Sequence, residues 1–157
     1  MADRPQMPFT TATILEIQRV ANIFALNLLH QTVADTELDG KHIPAGTLVN
    51  GDIHIILAND PVFVHPDEFN PRRFLAADGS SIEKDVADHC IPFSIGKRQC
   101  AGEALAKAEL FLGFTSMLQR YRILPPVWGA LDLEPIHSLV RAPQDYHVQL
   151  IPLVDSQ

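Results

Sequence analysis

Apolar residues concentrate in two long helical stretches of this chain, separated by a middle that prolines and glycines break up. After Pro8, the run Phe9 to Leu29 predicts a helix with Thr10 or Thr11 as its N-cap. Ile14, Leu15, Ile17, Val20, Ala21, Ile23 and Phe24 go most of the way round a helical wheel. That predicts a buried helix, with Gln18 and Asn22 as its wet edge. From Asp39 to Asn59 the character changes: Asp39-Gly40 and Pro44-Ala45-Gly46 signal turns, and the isoleucine-rich Leu48 to Leu57 predicts a short hairpin or small sheet. Asp60-Pro61, Pro66 and Pro71 then punctuate an irregular stretch to about Ser81, of the kind that packs against something or carries function. Gly102 to Tyr121 predicts a second helix with an apolar face of Leu105, Ala108, Leu112, Phe114 and Leu118, ended by Pro125-Pro126. The tail from Leu131 to Leu153, with Pro135, Pro143 and Pro152, predicts short strands joined by turns.

Composition narrows the function classes. A chain of 157 residues is the size of one domain, and 46% hydrophobic with 20% charged residues suits a globular one. A net charge of −7 with no basic run argues against nucleic-acid binding. Two cysteines, Cys90 and Cys100, supply no disulfide framework. No apolar run reaches the ~18 residues that span a bilayer, and the first residues lack the order of a signal peptide. The chain's own sequence therefore predicts neither export nor a membrane anchor.

The chemistry concentrates in Phe93-Ser94-Ile95-Gly96-Lys97-Arg98-Gln99-Cys100-Ala101-Gly102. Cys100 closes a glycine-bent loop just before the second helix, where backbone N–H groups and the nearby Arg98 would favour a thiolate. Gly96 permits a tight bend, Gly102 permits a flat ligand to approach the helix, and Phe93 can shield the sulfur. A zinc site fits less well, since Cys90 and Cys100 form no Cys-x-x-Cys pair. A catalytic thiol would need a base, for which His89 is available. On the residues alone, a structural cysteine and a ligand cysteine are equally supported.

The loop resembles the haem-binding signature of the cytochrome P450 monooxygenases, Phe-x-x-Gly-x-Arg-x-Cys-x-Gly, through Phe93, Gly96, Arg98, Cys100 and Gly102. Glu16-Ile17-Gln18-Arg19 resembles the Glu-x-x-Arg of the same family, and Arg73 in Phe69-Asn70-Pro71-Arg72-Arg73-Phe74 resembles its third partner. Residues three apart share a helix face, and a buried ion pair needs such further partners. The resemblance implies that Cys100 is the axial haem-iron ligand, that Arg98 and His30 bind the haem propionates, and that Glu16, Arg19 and Arg73 form a structural triad. It also implies that Phe24, Leu26 and Val140 line the substrate cavity, within Phe24 to Leu29 and the turn at Leu139-Val140. Where relatives often have proline before the His30 position, this chain has Leu29.

The resemblance covers essentially the whole chain but only the C-terminal part of the family's fold. The expected fold is mainly α with small β-sheets: a Glu-x-x-Arg helix, small sheet, irregular meander, Cys-ligand loop, long helix and C-terminal strands. Residues 1–157 are expected to be one partial domain, with Met1 a start placed inside it. The N-terminal anchor and the distal oxygen-activating helix are expected to be missing, so no catalytic residue is assigned here. The exposed apolar helix faces would leave the isolated chain poorly soluble or molten.

The function implied is that of a haem-thiolate monooxygenase acting on a small apolar substrate. NADPH would supply electrons indirectly, through a flavoprotein reductase that meets the thiolate side near Lys97, Lys107 and Arg120. The intact relative would sit on the cytosolic face of the endoplasmic reticulum membrane, and this chain alone would be cytoplasmic or insoluble. The alternative is a non-catalytic haem-binding or interaction fragment, and a thiol enzyme using Cys100 with His89 is the remoter one.

Overall fold

The structure, a computed structural model, describes residues 3–136, 138 and 140–153. Helix α1 (Pro8–Ala21) starts on a proline, whose fixed φ and missing N–H suit a first helical position. Met7 precedes it, so neither Thr10 nor Thr11 is the cap. The helix stops well short of Leu29, because Asn22 turns left-handed at φ 36° and its N–H closes on Gln18 O at 3.0 Å. Beyond it the chain is extended and Leu26 bridges antiparallel to Asp52.

The wet edge expected of α1 is inverted. Gln18 and Asn22 are buried, together with Glu16 and Arg19, while Val20, Ile23 and Phe24 are exposed. The buried side of α1 packs on the 3-10 turn Pro71–Phe74 in the irregular stretch. Loop carbonyls of that stretch need donors, so the helix face turned toward them carries polar side chains.

Three two-stranded antiparallel sheets follow the chain. Strand β1 (His30–Gln31) pairs with β4 (Leu48–Val49), placing His30 opposite Val49. Strands β2 (Thr36–Leu38) and β3 (Lys41–Ile43) form a hairpin whose turn residues Asp39 and Gly40 both have positive φ, the backbone twist a tight two-residue turn requires. The isoleucine-rich segment is not strand through to Leu57. Its second half is helix α2 (Ile53–Asn59), because Asp52 accepts the Ile55 N–H at 2.9 Å and caps it. Ile53 and Leu57, four apart on that helix, then fall on one buried face.

The core gathers Ala12, Ile53, Leu57, Phe63 and Phe74, the two rings meeting at 6.0 Å in a tilted pair. Cys90 and Ile91, just beyond helix α3 (Lys84–Asp88), pack against it. Helix α4 (Glu103–Arg120) runs straight into β5 (Tyr121–Leu124), which pairs with β6 (Gln149–Pro152). Pro125-Pro126 therefore ends a strand rather than the helix. Between β5 and β6 the described tail is irregular apart from an Ile136–Ala142 bridge, so it holds fewer strands than its turn residues suggest.

Only Phe111 of α4 is buried; Leu105, Leu112 and Leu118 lie exposed. The chain exposes 11726 Å² of surface. A compact monomer of this length would expose only about 7,900 Å². The architecture is thus mixed helix and small antiparallel sheets around a small core, with wide apolar surfaces left open. No helix among the described residues is long and apolar enough to cross a membrane.

Candidate functional site

The best-built polar cluster lies where α1 meets the meander. Glu16, fully buried, accepts Arg19 Nε at Oε2 (2.7 Å), and at Oε1 accepts Arg19 Nη2 (3.0 Å), Arg73 Nε (3.2 Å) and the Asn70 N–H (2.7 Å). Both guanidiniums also donate to carbonyls: Arg19 to Pro66 and Glu68, Arg73 to Val64, His65 and Glu68. Arg19 further stacks over Phe63, 5.4 Å from the ring centre. Burial by itself would raise Glu16. The Arg19 hydrogen bond, the Asn70 N–H and the charges of Arg19 and Arg73 outweigh it and hold the carboxyl below its ordinary value. The three residues of the expected triad are thus brought together, and they clamp the irregular segment 64–73 onto α1.

From that clamp the chain leads through α3 to the cysteine loop. Cys100 N–H donates to Phe93 O at 2.9 Å, and Ser94 N–H donates to Ile91 O at 3.0 Å, closing the loop on itself. Two residues inside it have positive φ, Ser94 at 63° and Gly96 at 80°. Gly96→Ala is therefore expected to cost about 1–2 kcal/mol through left-handed backbone strain. Thermal unfolding of the variant checks this, and an unchanged midpoint would remove the need for glycine there.

Cys100 is exposed and lies just ahead of α4, where Glu103 N–H bonds to Cys100 O at 3.3 Å. Its sulfur sits over Gly102, since a Cβ added at that glycine would meet Sγ at 3.8 Å. Gly102 itself has φ −88°, a conformation open to any residue, so the fold alone does not require glycine there. Phe93 is half-buried, with Lys107 Nζ 5.9 Å from its ring centre. Arg98 and Lys97 lie exposed on the 3-10 turn Gly96–Arg98, and Arg98 makes no hydrogen bond to Cys100. Lys107 is paired with Glu103, and Arg120 is exposed at the end of α4.

The other expected residues surround this loop. Asn27 Nδ2 donates to Ser94 Oγ at 2.9 Å, tying the segment after α1 to the cysteine loop. Arg141 N–H donates to Ile23 O at 2.8 Å, which brings the turn holding Val140 beside Phe24. Phe24, Leu26 and Val140 are all exposed, and His30 is exposed on β1. Leu139 lies outside the described residues. Asn27 and Arg141 were missed from the sequence, because each acts through a contact across dozens of residues that no local spacing announces.

The two cysteines differ in kind. Cys90 is buried against the core with Sγ 3.7 Å from Leu15 O, and burial pushes its thiol up to about 12. His89 Nδ1 lies 2.7 Å from Asp60 Oδ2, so the base imagined for Cys100 is engaged elsewhere. The hydrogen bonds from His89 and from the Val62 N–H hold Asp60 below its ordinary value. Among the described residues, no group of three or more histidines, cysteines or acids could hold a metal ion.

The family model described as Cytochrome P450 matches residues 1–150. Cytochrome P450 2C2 of Oryctolagus cuniculus is 41% identical over 155 residues, which is 98% of this chain and 31% of that protein. Cytochrome P450 2J1 of Oryctolagus cuniculus is 40% identical over 152 residues, 97% of this chain and 30% of the relative. Cytochrome P450 2J5 of Mus musculus is 36% identical over 154 residues, 98% of this chain and 30% of the relative. The chain spans about 30% of the length of these curated relatives.

Proposed function

The chain belongs to the cytochrome P450 family, and from that premise we propose that it is the C-terminal, proximal haem-binding portion of a haem-thiolate monooxygenase. On this reading residues 1–157 are one partial domain, and Cys100 is the axial ligand. The exposed thiol at the head of α4, inside a loop held open by Ser94 and Gly96, is the observation that carries it.

The residues present fit a haem. The donor is a single thiol with no partner in its own fold, and the absent Cβ at Gly102 leaves the space beside its sulfur clear. Arg98 and His30, both exposed and without an acidic partner among the described residues, would bind the propionates. Phe93 would limit hydration of the sulfur, and the N–H groups at the start of α4 would stabilise its charge. Bound there, the iron would supply oxygen activation, with thiolate donation favouring O–O cleavage. Phe24, Leu26 and Val140 would contribute an apolar wall for a small substrate. Electrons would come from NADPH through a flavoprotein reductase. The whole protein would act at the endoplasmic reticulum membrane.

The open surface favours a second reading, a haem-binding or interaction product without turnover. The excess of roughly 4,000 Å² over a compact monomer is the scale of an obligate interface. Two measurements decide between them. A thiolate-type ferrous–CO difference spectrum after haem reconstitution is expected on either reading, and its absence would defeat both. NADPH-supported hydroxylation with a reductase by this chain alone is not expected, and observing it would show that the chain needs no further segment.

A further inference from the structure

Asn22, His54 and Arg141 form a polar cluster that the haem chemistry leaves unused. Arg141 is half-buried, and its Nε is sealed from solvent with no hydrogen-bond partner. Its Nη1 lies 3.2 Å from His54 Nδ1. A guanidinium only donates, so His54 accepts there and is the neutral tautomer with its proton on Nε2. The imidazole therefore positions the cation without neutralising it. No ion pair among the described residues includes Arg141, whereas Arg19 and Arg73 share Glu16.

The backbone fixes where this cation stands. Arg141 N–H donates to Ile23 O, and His54 N–H donates to Ala25 O at 3.0 Å, so both residues flank one extended segment. At the head of that segment Asn22 is only 1% exposed, yet both its amide nitrogen and its amide oxygen lack partners. Orphaned buried polar groups carry a desolvation cost that a bound polar group would relieve. Beside them Phe24, Leu26 and Val140 present exposed apolar surface. A desolvated cation next to an apolar wall matches a molecule with an anionic end and an apolar body. Arginine suits a carboxylate in particular, through its paired N–H groups.

We propose that Arg141, steadied by His54, is a carboxylate-binding group that takes the acid end of an amphipathic small molecule lying along Phe24, Leu26 and Val140. The proposal rests on the haem-thiolate reading for its view of that apolar wall as substrate-facing. A carboxylate could also come from an acidic side chain of another protein segment, and the test separates the two sources.

The whole haem-loaded protein is titrated with phenylhexanoic acid, its methyl ester and the corresponding alcohol, following the Soret band. Equilibrium dialysis of the same ligands reads binding without relying on the haem. The acid is expected to bind at least ~10-fold more tightly than the ester, the scale of one charge-assisted hydrogen-bonded pair. Arg141→Gln is expected to erase that preference with the ester affinity unchanged, and Arg141→Lys to keep part of it even where the glutamine variant folds poorly. Equal affinities for acid and ester in the unmodified protein would overturn the proposal. So would an Arg141→Gln variant that unfolds at lower temperature yet keeps its acid preference, which would assign the carboxylate to another protein segment. A missing thiolate spectrum with the dialysis preference intact would overturn only the haem reading.

Discussion

Glu16→Gln is expected to destabilise the protein by about 3–5 kcal/mol, because it leaves two guanidiniums without their acid in a site closed to water. The carboxylate accepts four hydrogen bonds, two of them from Arg19, one from Arg73 and one from the Asn70 backbone. Glutamine keeps the shape but turns an amide NH₂ toward donors, so at least one pair of N–H groups faces another. Domains of this size have only about 5–15 kcal/mol in hand, which makes the loss a large fraction of the total. Denaturant titration of the haem-loaded protein measures it, with haem release as a second signal. A cost below about 1 kcal/mol would mean that the clamp is a bystander to stability.

The same carboxylate sets a direction with pH. Glu16 is held below its ordinary value in the folded chain, so its contribution is fully present above that ordinary value. The contribution is lost as pH falls through the lowered folded pKa. The stability gap between the unmodified protein and Glu16→Gln should therefore be constant near neutrality and shrink in acid. A gap that widened on acidification would contradict the assignment of a buried carboxylate.

How much of this was legible in the sequence depends on the range of the interaction. Glu16 and Arg19 sit one helical turn apart, so their pairing could be anticipated from spacing, and the resemblance supplied Arg73 from a loop. The polarity of α1 could not be read the same way. Periodicity assumes that polar positions face water, and here Gln18 and Asn22 are buried because the surface they meet is loop backbone rich in carbonyls. The strand predicted through Leu57 failed for a local reason that was visible: Asp52 stands where an N-cap stands, and a capped first turn outweighed the strand preference of the isoleucines. The ties from Asn27 to Ser94 and from Arg141 to Ile23 join segments far apart in the chain, and no local pattern encodes them.

Cys100→Ser is expected to abolish the thiolate-type ferrous–CO spectrum while leaving the unfolding midpoint nearly unchanged. The spectral half follows from ligand chemistry: a serine hydroxyl remains protonated at neutral pH and gives iron no thiolate donation. The stability half follows from the structure, where Cys100 is exposed and its sulfur fills no core position. Exposed substitutions of this kind usually cost within about 0.5 kcal/mol. Cys90→Ser is the control with the opposite signature. That thiol is buried against the core and held protonated by its surroundings, so its replacement should lower stability and keep the spectrum. If Cys100→Ser instead unfolded the chain, the cysteine would be structural. If both serine variants kept a thiolate spectrum, the axial ligand would be neither cysteine and the haem-thiolate assignment would fall.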